Sequence, residues 1–373
     1  MRIYRRLAYS RASNRKHNCC AEVMNERSMM VRLTDIASAI ATFEGHLATQ
    51  GHRRTETTGV LSLHILLPSL IAVFDLAIPG ALLICLWKSG AGSRVYLISL
   101  AAAVALYLVA VTFSVLGFWH AIGVFWPFVY LCTFVIVIAA RYRRGLPAQW
   151  FPERWTKEFF LAGCNCLYAL VWALLIARVV QAHRIHEEAL QLSAPLHQGS
   201  FLVISGGANM SVNLHTRAVR YALDITQLNS FGLRAPSAVP FPRDVAKYTI
   251  YGADVIAPCA GEIIGVESHA PNQSPLHPNS TGFGNYVALY CQGHTVRLLH
   301  LRPSSVRVVV GDMVKTRQLL GSVGNSGNSV EPHLHIDAVA GRRIVDARDD
   351  GGIQSVPIRI DGRFLIKGDR FTN

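Results

Sequence analysis

Two hydrophobic patterns divide the chain. Between residues 58 and 181 apolar positions run almost without a break, in four segments: Val60 to Trp87, about 96–116, about 119–140 and about 159–180. Each matches the roughly 20 helical residues that cross a hydrocarbon core. The segments are apolar on every face rather than along one stripe, which favours helices in lipid over the buried helices of a soluble bundle. Pro68, Asp75 and Pro79 interrupt the first. An aspartate at that depth is costly in lipid and is expected to face the bundle interior. From residue 199 the period shortens. Runs such as FLVIS, YALDI, EIIGV, YVALYC and TVRLLHL alternate with Gly, Asn and Pro turns, which reads as all-β over 199–345. A polar linker, 182–198, joins the two regions and reads as helical at its start (HRIHEEALQL). A tail, 346–373, holds two short candidate strands, IRI and FLI. The expected architecture is an N-terminal α-helical transmembrane region of about four spans at 58–181, followed by a C-terminal antiparallel β domain.

Composition supports the lipid reading. Of the 373 residues, 51% are hydrophobic and only 16% charged, against about a quarter charged in soluble domains. The formal net charge is +13, but the basic residues are scattered, and many flank the apolar segments. That placement fits anionic lipid and topology better than nucleic acid. The loop 141–158 carries Arg141, Arg143, Arg144, Arg154 and Lys157, so it is expected in the cytoplasm, and the fourth span then delivers residues 181–373 to the outside. Counting back puts the basic segment 1–57 outside too, against its charge, unless the first apolar segment is re-entrant or the true start is a later methionine such as Met24, Met29 or Met30. That segment reads as largely disordered and lacks the apolar stretch of a signal peptide. Cys259 and Cys291 are the two cysteines of the C-terminal half. An exported domain permits them to pair, although sequence does not give their separation.

The candidate chemistry lies in the β region. In Pro332-His333-Leu334-His335-Ile336-Asp337, His333 and His335 are two apart and share a strand face. Imidazole is a common zinc ligand and titrates near neutral pH. His300 lies on an earlier run, and Asp224 interrupts an apolar run, YALDI. A carboxylate there needs a partner or a metal. The stretch Gly324-Asn325-Ser326-Gly327-Asn328-Ser329 before the histidines supplies tight turns. The Pro/Asn/Ser-rich loop 269–281 reads as mobile and exposed, able to wall a groove.

Taken in order, these blocks resemble peptidase family M23, the lysostaphin/LytM type. The resemblance rests on Asp224, on YGADVIAPCAGEI from Tyr251 to Ile263, on Gly284-Asn285-Tyr286-Val287, on His300-Leu301, on Val308 to Val314, and on Gly324 to His335. It covers about 199–345 and says nothing of the helices. It implies a zinc metallopeptidase with a LytM-like antiparallel β fold. Asp224 and His335 would be zinc ligands. His300 and His333 would flank the attacked water, one as general base and the other stabilising the oxyanion. It further implies peptidoglycan peptides as substrate and a multi-pass protein of the bacterial inner membrane with its β domain outside. One position departs from the pattern. The family's first histidine ligand, four residues before the aspartate, is Arg220 here, and a guanidinium cannot ligate a metal. Either the ligand has moved to His215, with a short excursion at 216–219 returning the chain to Asp224, or the site is broken. One branch of the family has a similar "G-G…N-x-H…R-Y-A-x-D" block, matched here by Gly206-Gly207, Asn213, His215 and Asp224. A broken site would make the domain a non-catalytic regulator of cell-wall hydrolases. The V-x-x-G-D-x-V turn also resembles lipoyl-like adapter domains, a reading that leaves Asp224 and the paired histidines unexplained.

Overall fold

The structure, a computed structural model, describes residues 63–344 and 354–373 apart from 186, 238 and 281. The expected disordered segment 1–57 lies outside the described residues. Four helices among those described are long and apolar enough to cross a membrane: Leu66–Lys88, Arg94–Phe113, Trp126–Arg143 and Lys157–Gln181. The first is continuous but not uniform. Helix α1 (Leu63–Leu70) passes through a π-helical turn, Ile71–Ala77, into α2 (Ile78–Lys88). Asp75 sits in that turn, 2% exposed, and its Oδ2 accepts a hydrogen bond from Phe118 N at 2.9 Å. The wider turn frees carbonyls, and tyrosines meet two of them. Tyr107 Oη donates to Phe74 O at 2.9 Å, and Tyr130 Oη donates to Asp75 O. A backbone group with no water nearby needs such a partner. Tyr107 belongs to α3 (Arg94–Phe113) and Tyr130 to α4 (Trp126–Arg143); α5 (Lys157–Gln181) completes the helical region. Among these helices α4 and α5 expose the most apolar surface, including Leu131, Ile136, Leu167 and Leu170.

Among the described residues the C-terminal region is built of β-strands with two short 3-10 turns, Arg217–Val219 and Val245–Lys247. Its main sheet has eight strands in the order β12-β2-β3-β10-β7-β6-β5-β8, every neighbouring pair antiparallel. These are β2 (Ser200–Ser205), β3 (Leu223–Leu228), β5 (Gly261–Glu267), β6 (Asn285–Cys291), β7 (His294–Leu301), β8 (Met313–Val314), β10 (Leu334–Ala340) and β12 (Arg370–Thr372). Two small sheets flank it: β4 (Asp254–Ile256) with β9 (Leu319–Ser322), and β1 (Leu190–Leu192) with β11 (Ile358–Ile360), the latter pair parallel. Alternating Leu, Val and Ile from these strands form one core, with Leu223, Ile225, Ile263, Val287, Val296 and Ile336 wholly buried.

The linker and tail belong to this fold. The linker's start is not helical. It carries β1, because Leu190 and Leu192 enter the core and pair with IRI of the tail. FLI forms no strand; Leu365 and Ile366 are buried in a loop, and the edge strand is Arg370–Thr372. Cys259 and Cys291 are joined by a disulfide with Cα atoms 6.5 Å apart.

Candidate metal centre

Asp224 on β3 stands directly opposite His335 on β10, so both side chains leave the same face of the sheet. His333, two residues before His335, shares that face. His300 requires a special device. In the β7–β10 ladder it is Leu299 that pairs with His335, and strict alternation would turn His300 to the other face. Between Leu299 and Leu301 the register with β6 slips by one residue, and His300 takes φ +66°. This bulge in the left-handed region re-aims the ring at the cost of local strain. Its ring lies 4.8 Å from that of His333 and 5.8 Å from that of His335.

His215 arrives from the long connection between β2 and β3. A 3-10 turn at Arg217–Val219 brings the chain back to Asp224, the excursion expected at 216–219. His215 Nε2 is 3.2 Å from Asp224 Oδ1, and His335 Nδ1 is 3.0 Å from the same oxygen. One ligand atom from each of His215, Asp224 and His335 falls within 4.8 Å of the other two. A tetrahedral zinc with bonds of about 2.0 Å has ligand–ligand edges of roughly 3.3 Å, close to the two edges measured. The remaining nitrogens are also held, as ligand imidazoles require. His215 Nδ1 lies 2.6 Å from Asn213 Oδ1, and His335 Nε2 lies 2.9 Å from Asp337 Oδ2. Two oriented imidazoles and one carboxylate fit a three-ligand zinc site.

Arg220 does not enter this cluster. Its guanidinium pairs with Glu187, contacts Tyr221 Oη at 2.5 Å and lies over the Tyr221 ring. Its carbonyl accepts a hydrogen bond from Asn213 Nδ2 at 2.8 Å, so the position four before Asp224 shapes the loop through its backbone. Sequence reading also missed Asp337 and Arg297. Both are buried, and Arg297 Nε meets Asp337 Oδ1 at 2.8 Å. The signal was available in part: Asp337 lies two residues beyond His335 on the same face, and Arg297 is its partner in register. A second buried pair, Arg234 to Glu331 at 2.8 Å, stands beside His333.

The glycine-rich turn packs main chain against main chain. A Cβ on Gly324 would come within 2.5 Å of Arg302 backbone, and one on Gly327 within 2.3 Å of Gly284 N. Ser326 is thereby placed to accept a hydrogen bond from Asn285 N at its Oγ, and its carbonyl lies 2.9 Å from His300 Nδ1. The loop 269–281 is not loose at this end. Asn325 N donates to Asn272 Oδ1 at 2.9 Å, and Asn325 Nδ2 donates to Gln273 O at 2.8 Å.

Charge separates His300 from His333 and His335. Burial, reinforced by His333 and His335, holds His300 well below the ordinary imidazole range. Burial also acts against the charged forms of His333 and His335, but Asp224 outweighs it and raises His333, while Asp224 and Asp337 together push His335 up to about 9. Burial alone would raise the Asp224 carboxyl; His215 and His333 instead hold it well below the usual carboxylate range. With Nδ1–H donated to Ser326 O, His300 presents a neutral Nε2 lone pair. His333 Nδ1 lies 2.7 Å from Glu331 O and its Nε2 is 3.4 Å from Asp224 Oδ1.

The antiparallel β domain carries this His/Asp cluster on one face of its sheet, and comparison with known proteins shows what it is similar to. Residues 244–347, within the β domain, match peptidase family M23. The matched stretch contains His300, His333 and His335 but begins after His215 and Asp224, which only the fold brings in. A curated relative, the peptidoglycan DD-endopeptidase ShyA of Vibrio cholerae, is 26% identical over 190 residues, covering 50% of this chain and 42% of its own length. The chain therefore spans less than half of that relative. Among solved structures, a zinc-containing peptidase from Vibrio cholerae is 22% identical, covering 46% of this chain and 41% of its own, with a TM-score of 0.26. The catalytic domain of the prophage-encoded M23 protein EnpA from Enterococcus faecalis is 20% identical, covering 43% and 98%, with a TM-score of 0.27.

Proposed function

We propose that this protein is a membrane-anchored zinc metallo-endopeptidase that hydrolyses peptide bonds in peptidoglycan cross-links. The observation that carries the reading is the convergence of His215, Asp224 and His335, with His300 and His333 beside them. When bound, zinc in a three-ligand site supplies Lewis acidity and makes water nucleophilic near neutral pH. The chain's own groups divide the proton work. His300, held neutral with its Nε2 free, takes the proton of the attacking water as general base. His333, whose protonated form Asp224 favours, donates to the oxygen on which negative charge develops and stabilises it. Asn213 and Asp337 fix the two ligand rings.

The substrate class rests on similarity to a peptidoglycan endopeptidase. The location rests on charge and redox. The arginine-rich loop 141–158 is the cytoplasmic side, which puts the β domain outside the bacterial inner membrane, where the Cys259–Cys291 disulfide is stable. The helices contact membrane lipid, and the site works on wall peptides that come close to the bilayer.

The test uses the full chain in lipid nanodiscs, with metal content measured beside release of cross-linked muropeptides. Wild-type protein is expected to hold about one zinc and to cleave. His335→Ala and His215→Ala should lose both. Wild-type protein without zinc, regaining it in Arg220→His, would replace this reading by a non-catalytic regulator.

A further inference from the structure

The connection that carries His215 is built partly by the helical region. At the C-terminus of α5 the loop adds donors to helix-end carbonyls: Ala208 N bonds Ala182 O at 3.0 Å, and Asn209 Nδ2 bonds Arg178 O at 2.9 Å, which Ala182 N also meets at 3.1 Å. On the other side Val115 N, just past α3, donates to Ser211 O at 2.8 Å. Val212 packs in one cluster with Val179 and Ala182.

A buried cation closes the base of the same loop. Lys367, 5% exposed, donates its backbone N–H to Gly206 O at 3.1 Å. Its Nζ reaches across to Ser114 O at 2.7 Å and Gly117 O at 2.5 Å. Those carbonyls follow the C-terminus of α3, where the helix dipole favours positive charge. The ammonium also lies 5.7 Å from the Phe118 ring, whose backbone N–H is held by Asp75. From this base the loop runs to Asn213. Its Nδ2 contacts Gly207 O at 3.0 Å and Arg220 O at 2.8 Å, while its Oδ1 takes His215 N at 3.0 Å and holds the ring at Nδ1. Hydrogen bonds joined by short stretches of main chain therefore lead from Asp75 to the ring of a candidate ligand.

We infer that Lys367 and Asn209 are positioning residues for the metal centre: they fasten the His215 loop to the ends of α3 and α5, so that the helical region completes the site. The inference rests on the metal reading above. Coupling of this kind is reciprocal. Docking of the loop raises affinity for the ion, and the ion tightens the docked interface.

The experiment measures zinc affinity of the full chain in nanodiscs for wild type, Lys367→Met and Asn209→Asp, together with hydrogen exchange at residues 114–117 with and without zinc. Asn209→Asp removes the donor to Arg178 O yet keeps the Oδ acceptor that Ser211 N uses, so it decides the matter if Lys367→Met does not fold. Both variants are expected to bind zinc at least about tenfold more weakly, the scale of lost outer support, and zinc should slow exchange of the Val115 amide in wild type. Zinc affinity within twofold of wild type in the folded variants, with exchange at Val115 indifferent to zinc, would overturn this inference alone. A wild-type chain that binds no zinc would overturn the metal reading and this inference with it.

Discussion

The helical region and the β domain solve opposite problems. In α4 and α5 apolar side chains face outward: Leu167 is 65% exposed and Ile136 64%. In the β domain charges lie inside: Arg297, Arg234 and Asp337 are at most 1% exposed. A surface of leucines is stable where lipid covers it, and a buried charge is stable where a partner meets it. The difference shows where each region depends on something beyond its own core. The helices have an outer apolar surface that lipid would cover under the proposed reading, and the β domain relies on matched charged pairs and holds one cluster suited to a cation.

The sharpest way to break this comparison is to remove a candidate ligand. His335→Ala should lower peptide hydrolysis at least about 1000-fold, on the order of 4 kcal/mol at the transition state, with zinc lost in parallel. Unchanged turnover would remove the centre from the chemistry. Next in size is the buried pair behind it. Asp337→Ala removes the carboxylate that meets Arg297 and should cost about 3–5 kcal/mol of stability in denaturant titration. The pH sign follows from Asp337, whose carboxyl is held far below the ordinary range, against burial, by Arg297 and His335. It contributes stability above the unfolded value of about 4, and this is lost as pH falls further. The variant should lack that part of the acid slope.

The two regions should also differ under the same truncation. Leu223→Ala, in the β core beside Asp224, should cost about 2–5 kcal/mol. Leu170→Ala, on the outer face of α5, should cost below about 1 kcal/mol, because lipid replaces the lost contact in folded and unfolded helices alike. Equal costs would mean that protein, not lipid, covers α5. The smallest effect is a slope. His335 is pushed up to about 9, so below that pH an incoming metal ion must displace a proton. Zinc affinity should then fall about tenfold per pH unit on acidification from pH 9 towards neutrality, measured by competition with a chelator of known protonation. A flat profile would exclude the His335 nitrogen as a ligand.

Much of the site was legible because its signals are local. The paired histidines at 333 and 335 needed only the two-residue period of a strand, and the unbroken apolar runs needed only length. Asp224 stood out as a carboxylate in an apolar strand. Less was legible at the ends of the β domain. The linker looked helical because HRIHEEALQL has helical composition, yet Leu190 and Leu192 gain more by entering the β core beside Ile358 and Ile360. FLI alternates like a strand, but Leu365 and Ile366 are buried without a ladder.

The sequence by itself determined the order of the two regions, the residue types able to hold and activate a metal, and the conflict at Arg220. Tertiary structure decided the rest. It turned Arg220 toward Glu187 and brought His215 to Asp224. It turned His300 inward through a bulge whose φ no residue pattern announces, and it drew Lys367 across some 250 residues to the end of α3. The reason is physical. Period and composition report each residue's relation to its chain neighbours. The aim of a side chain depends on register and contacts between segments far apart in sequence, which exist only once the chain has folded.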